Sequence, residues 1–227
     1  MVPCPPVRVF LIHGMGRTQV SMALLARRLR AAGHHTSSYS YFVSRDPLVR
    51  IADGLVAHVE RTISDDQKAD ERGDRRGDFA VIGHSLGNIV TRMALPRLPG
   101  LRRFVMLAPP NQPPVLARTL ASNPLYRALT RDAGAKLTDD EFYRQLPRPA
   151  VPTLIVAGTR GPRTSWLPFA GQASDGIVGV DETRLPGVAH VEVPAIHTFI
   201  MNDAEVARLT LHFLEAGTLV ESTRAQG

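Results

Sequence analysis

The pentapeptide Gly83-His84-Ser85-Leu86-Gly87 is the stretch of this chain best suited to nucleophilic chemistry. Before it runs Phe79-Ala80-Val81-Ile82, too short for a helix and apolar enough for a buried strand. After it, Leu86, Ile89, Val90 and Met93 recur at three- and four-residue intervals, one face of a helix. A G-x-S-x-G turn between strand and helix is the nucleophile elbow. It lifts a serine hydroxyl above a sheet, in a turn so sharp that Gly83 and Gly87 leave room for little else. The helix N-terminus also offers unpaired backbone N–H groups to a developing oxyanion. The plainer use of the same residues is a tight turn in which Ser85 caps the helix.

A serine hydroxyl needs a base in contact and an acid to orient that base. Of eight histidines, His34 and His35 fall on an early strand and His58 and His212 on outer helices. His84 is the variable position of the elbow and points away from the serine, while His190 lies within the last strand. His197 follows that strand and precedes a helix, where it can lean over Ser85. Asp175, in Ser174-Asp175-Gly176, sits after the fifth strand and reaches the same edge; Asp181 and Glu182 close the same loop and are the alternatives. His13-Gly14-Met15-Gly16 ends the first strand. Its two glycines let the backbone turn closely and present the Met15 N–H toward the serine, with His13 holding the loop. It lacks the third glycine of a dinucleotide fingerprint and the Gly-Lys-Ser/Thr ending of a P-loop, so no cofactor is expected.

The elements that must carry these groups alternate. Strands are expected at Val7–Ile12, His34–Tyr41, the Phe79 run, Leu101–Leu107, Val151–Ala157 and Val188–Val193. Helical patterns fall at Val20–Ala32, from Asp46-Pro47 through Val59, after Ser85, and over Asp203–Ala216, with Asp46 as cap and Pro47 in the first turn. Ser64–Asp78 is highly charged and reads as a surface connector. The alternation predicts an α/β fold: one domain over 1–227, with a mostly parallel central sheet of about six strands and helices on both faces. Helical pieces at Val115–Ala121, Leu125–Arg131 and Asp139–Leu146 form an excursion, 110–149, expected to arch over Ser85 as a small cap. Leu116 and Tyr126 of this excursion, with Trp166 from the irregular loop Gly158–Ala173, are the candidate substrate wall.

Composition excludes several classes. The formal charge is +6 and the pI near 10.2, almost all from scattered arginines, since lysine occurs only at Lys68 and Lys136. No concentrated basic patch or nucleic-acid module stands out, so no nucleic-acid partner is expected. The basic surface still allows transient contact with an anionic membrane or lipid interface. The single Cys4 rules out an intrachain disulfide and a cysteine zinc cluster, and no metal is expected. No basic segment followed by a long apolar core precedes the first strand, so the expectation is a cytoplasmic protein. Oligomeric state leaves no sequence signal.

HGMG at His13–Gly16, GHSLG at Gly83–Gly87, SDGIV at Ser174–Val178 and HTFI at His197–Ile200 occur in the order Ser85, Asp175, His197. In this the chain resembles an α/β-hydrolase of the bacterial lipase and esterase superfamily from Val7 to Gly217. The resemblance implies carboxylic ester hydrolysis: Ser85 attacks, His197 moves the proton, Asp175 fixes the imidazole tautomer, and the Met15 and Leu86 N–H groups hold the oxyanion. Departures are Asn88, where many such lipases carry glycine, and Pro113-Pro114 in place of Gly-Ser. No calcium site can be assigned. The modest cap favours a small-molecule ester with a short-to-medium acyl chain over a triglyceride. Acyl transfer or thioester hydrolysis by the same triad is the alternative, followed by a non-catalytic hydrolase-like binding protein.

Overall fold

A computed structural model describes residues 6–69, 77–164, 168–169 and 171–218. Strand alternation divides the core in two. In β1 (Arg8–Ile12), Val9 and Leu11 enter one apolar cluster and Phe10 and Ile12 the other, all fully buried. The same split recurs in β3 (Phe79–His84), where Ala80 and Ile82 oppose Phe79 and Val81. In β4 (Leu101–Leu107), Val105 and Leu107 oppose Phe104 and Met106. Removing each larger side chain from water stabilises the fold by about 1.5–3 kcal/mol. A sheet apolar on both faces needs covering on both. Helices α2 (Leu48–Ala69) and α3 (Leu86–Ala94) cover one face, and α1 (Ala23–Ala31) and α7 (Ala204–Ala216) the other.

With β2 (His35–Tyr39), β5 (Thr153–Gly158) and β6 (Ala189–Val193), the strands form one sheet in the order β2-β1-β3-β4-β5-β6. Every neighbouring pair is parallel, as the alternation predicts. Register pairs Ile12 with Gly83 and His84 with Leu107, so the residues leaving β1, β3 and β4 emerge side by side at one edge. Between β4 and β5 the chain forms α4 (Val115–Leu120), α5 (Pro124–Lys136) and α6 (Asp140–Gln145).

Three local expectations need correction. The charged stretch from Ser64 is not loop throughout, because α2 continues to Ala69. Charge there marks a solvated helix face: Asp66 pairs with the buried Arg8 at 2.8 Å, and Asp65 faces Lys68 one turn on. Residues 70–76 of that stretch lie outside the described residues. Asp46 does not cap α2. The Leu48 N–H instead donates to Asp132 Oδ2, at 2.7 Å, from the β4–β5 connection. The first helix begins as a 3-10 turn at Gln19–Met22 before α1.

Candidate active site

The elbow is backbone strain held in place. Ser85 adopts φ 51° and ψ −124°, a conformation costing about 1–3 kcal/mol in a residue with a side chain. Its N–H donates to the Leu107 carbonyl at 2.9 Å, and Asn88 Nδ2 donates to the Ser85 and Leu107 carbonyls at 3.1 Å each. Asn88, where glycine was the commoner expectation, therefore ties the turn to β4. It lies so close to Gly83 that a Cβ there would meet Asn88 Oδ1. At Gly87 a Cβ would come within 2.6 Å of the Ile12 and His13 carbonyls, so only glycine lets α3 approach β1.

His197 opens a 3-10 turn, His197–Asn202, immediately beyond the loop after β6. Its Nδ1 lies 2.7 Å from Asp175 Oδ2 and its Nε2 2.9 Å from Ser85 Oγ. A carboxylate only accepts, so Nδ1 carries the proton and Nε2 is left to accept from the serine hydroxyl. Asp175 is itself fixed: Oδ1 accepts from the Ile177 and Val178 N–H groups at 2.9 and 2.8 Å, and its carbonyl accepts the His197 N–H at 3.0 Å. Among the carboxylates weighed from sequence, Asp175 is the one brought to the imidazole. Asp181 is largely exposed and pairs with Arg184. Glu182 is turned elsewhere, accepting from the Val115 N–H on α4 and the Gly179 N–H at 2.7 Å each. Burial raises the Glu182 pKa, partly offset by those two backbone bonds.

His13 is tied into the loop that follows β1. The Tyr41 N–H donates to His13 Nε2 at 3.2 Å, which leaves the Nδ1–H to donate to the Gly14 carbonyl at 2.8 Å. The Tyr41 ring stacks on it at 4.4 Å, and burial lowers its pKa. His84, the variable position of the elbow, packs against His197. Its Nε2–H donates to the His197 carbonyl at 3.0 Å, and the two rings lie 4.9 Å apart. Burial first, and then the neighbouring His197, hold His84 well below the ordinary histidine range, so it is a neutral donor. Gly14 lies against it, with no room for a Cβ beside His84 and Ser85.

Ser85 opens into an apolar cavity of about 190 Å³ shared by Met15 and Leu86. Leu116 and Ala117 of α4, Tyr126 of α5 and Ile177 of the acid loop line it as well. Two of the three wall candidates, Leu116 and Tyr126, line the same cavity as Ser85, while Trp166 lies outside the described residues. Sequence reasoning gave no role to His84, Asn111 or Arg92. Arg92, on α3, donates to the Leu146 and Pro147 carbonyls at 3.0 Å each, and to Asn111 Oδ1 at 3.2 Å. Its partners are far away in the chain, so no local spacing could announce them.

A strained serine between strand and helix, set on an all-parallel sheet, is the architecture of an α/β hydrolase. The model of the alpha/beta hydrolase family matches residues 9–223, and the chain belongs to that family. No curated protein sequence matches it. Among solved structures it is similar to the mature form of the Bacillus licheniformis lipase BlEst2, with 17% identity over 96% of this chain and 94% of that one, at TM-score 0.69. Phospholipase PlaB from Legionella pneumophila shares 19% identity over 78% of this chain and 45% of its own length, at TM-score 0.60. An extracellular α/β-hydrolase from a Paenibacillus species shares 17% identity over 92% of this chain and 99% of that one, at TM-score 0.53. At these identities the likeness concerns the fold. Among the described residues no helix is long and apolar enough to cross a membrane.

Proposed function

We propose that this protein is a serine carboxylic ester hydrolase for small, short-to-medium acyl substrates. The observation that carries this reading is the continuous relay from Asp175 through His197 to Ser85, ending in an apolar cavity. In the first half-reaction Ser85 Oγ attacks the ester carbonyl carbon as its proton passes to His197 Nε2. The backbone N–H groups of Met15 and Leu86, two residues that line the cavity, stabilise the oxyanion in this reading. Collapse expels the alcohol, which takes the proton from His197 and leaves the acyl group on Ser85. Water, deprotonated by His197, then attacks the acyl-enzyme and releases the acid. Asp175 keeps the imidazole in the required tautomer and stabilises the imidazolium.

The size of the cavity supports the acyl-length reading. At about 190 Å³ it falls below the roughly 300–1,000 Å³ typical of pockets for drug-sized ligands. Ile177 lines it and is 42% exposed, an apolar threshold through which an acyl chain or lipid interface would make contact. The test is hydrolysis of p-nitrophenyl esters from acetate to palmitate by wild type and Ser85→Ala. The expected result is Ser85-dependent turnover peaking at short or middle lengths, with the variant folded and inactive. A rise toward palmitate would overturn the chain-length reading. Inactivity across the series would overturn ester hydrolysis in favour of thioester, transfer or binding functions.

A further inference from the structure

A second cavity, of about 400 Å³, shares no lining residue with the one at Ser85. It lies between α6, the chain leaving β4 and residues 184–186 ahead of β6, and four arginines line it against the single carboxylate Asp140. Asp140 is already engaged by Arg118 at 2.6 Å. Two of the arginines, Arg144 and Arg184, are likewise paired, with Glu141 and with Asp181 and Glu192. The other two have no such partner among the described residues. Arg92 is 2% exposed, and its three hydrogen bonds go to neutral oxygens of Leu146, Pro147 and Asn111. No carboxylate among the described residues pairs with it. Arg148 is exposed, and its guanidinium has no hydrogen-bond or ion-pair partner among the described residues.

A buried cation held only by carbonyl dipoles is costly unless a counter-charge reaches it. Burial pulls the Arg92 pKa down to about 10; the neighbouring Tyr143 acts against that shift, and the nearby Arg148 charge adds to it. Two guanidinium groups without a carboxylate partner among the described residues, on one cavity, match the charge of a phosphomonoester dianion, whereas a carboxylate would balance only one of them. Guanidinium forks also suit phosphoryl oxygens geometrically. We propose that this cleft binds a phosphoryl group between Arg92 and Arg148, with the remaining volume taking the body of a phosphomonoester. The site does not depend on ester hydrolysis at Ser85, and its test reads binding alone.

Inorganic phosphate is titrated calorimetrically into the full chain at fixed ionic strength, with Arg148→Gln, Arg184→Gln and Ser85→Ala alongside. Each variant's melting temperature without phosphate verifies folding. Wild type and Ser85→Ala should bind one phosphate saturably and alike. Arg148→Gln should weaken binding about tenfold or more, and Arg184→Gln by less, because charge-assisted bonds to the anion are lost. Absence of saturable binding, or equal affinity in wild type and folded Arg148→Gln, would overturn the proposal. So would loss of binding in Ser85→Ala, which would move the anion to the other cavity. Two further arms separate sources of the phosphoryl group, and both support the site. Displacement of phosphate by glycerol 3-phosphate assigns a free phosphomonoester. Arg148-dependent sedimentation with phosphatidylcholine vesicles containing phosphatidic acid assigns a lipid headgroup.

Discussion

Asp175 and Asp181 close the same loop, yet only Asp175 reaches the imidazole. The difference lies in the turn that Gly176 permits at φ 98°, which folds the Ile177 and Val178 N–H groups back onto Asp175 Oδ1 and aims Oδ2 at His197. Asparagine keeps that shape but presents an amide that cannot hold the Nδ1–H tautomer. Asp175→Asn is expected to lower kcat by roughly 10³–10⁴-fold with little change in KM. Asp181→Asn should leave kcat within about twofold, because an exposed ion pair with Arg184 contributes little. Steady-state kinetics on the best p-nitrophenyl ester decides this, and equal losses at both positions would refute the assignment. Gly-x-Ser-x-Gly and Ser-Asp-Gly were legible because each is local. The hydrogen bond from His84 to the His197 carbonyl joins residues 113 positions apart and left no trace in spacing.

Helix α2 shows how one element borrows its terminus from another. Its first N–H donates to Asp132, which follows directly on Arg131, the residue at φ 47° where α5 is kinked. The kink turns the chain so that a carboxylate from the β4–β5 connection lies at the positive end of α2, where negative charge is favoured. Removing that acceptor by Asp132→Ala should cost about 1 kcal/mol, as loss of a helix cap does, and Asp132→Asn should retain most of it. For a chain of this size the corresponding fall in melting temperature is about 2–4 °C, measurable by circular dichroism. An unchanged melting temperature in the alanine variant would mean that the connection does not brace α2. Local pattern marked where both helices begin, but not that α2 runs on to Ala69 or α5 to Lys136. It chose the wrong cap because Asp46-Pro47 carries a good start signal and Asp132 is invisible to any short window.

Five of the eight histidines, His13, His34, His58, His84 and His190, are held below their ordinary 6.5 chiefly by burial. In the folded chain they resist protons that the unfolded chain accepts near pH 6.5. The unfolded state therefore binds more protons in that window, and stability rises with pH across it. Glu182, pushed above its ordinary 4.5 by burial, acts in the opposite sense at lower pH, since its protonated form is favoured in the fold. Calorimetric melting temperatures should accordingly fall as pH is lowered from about 7 to about 5.5. A flat or rising profile over that interval would contradict the burial of these rings.

From sequence alone came the number and kind of the strands, their parallel pairing, and the order in which the serine, acid and histidine loops leave the sheet. Those features depend on apolar periodicity and on turn residues, both of which act over a few positions of chain. Tertiary structure decided what depends on distance through space. It selected Asp175 over Asp181 and Glu182, and it recruited Glu182 to join the acid loop to α4. It continued α2 through a charged stretch by pairing Asp66 with Arg8, and it buried Arg92 among neutral carbonyls beside an open cleft. Each of these is a contact between residues far apart in sequence. A side chain's charge and size do not specify such a partner until the sheet has brought the two together.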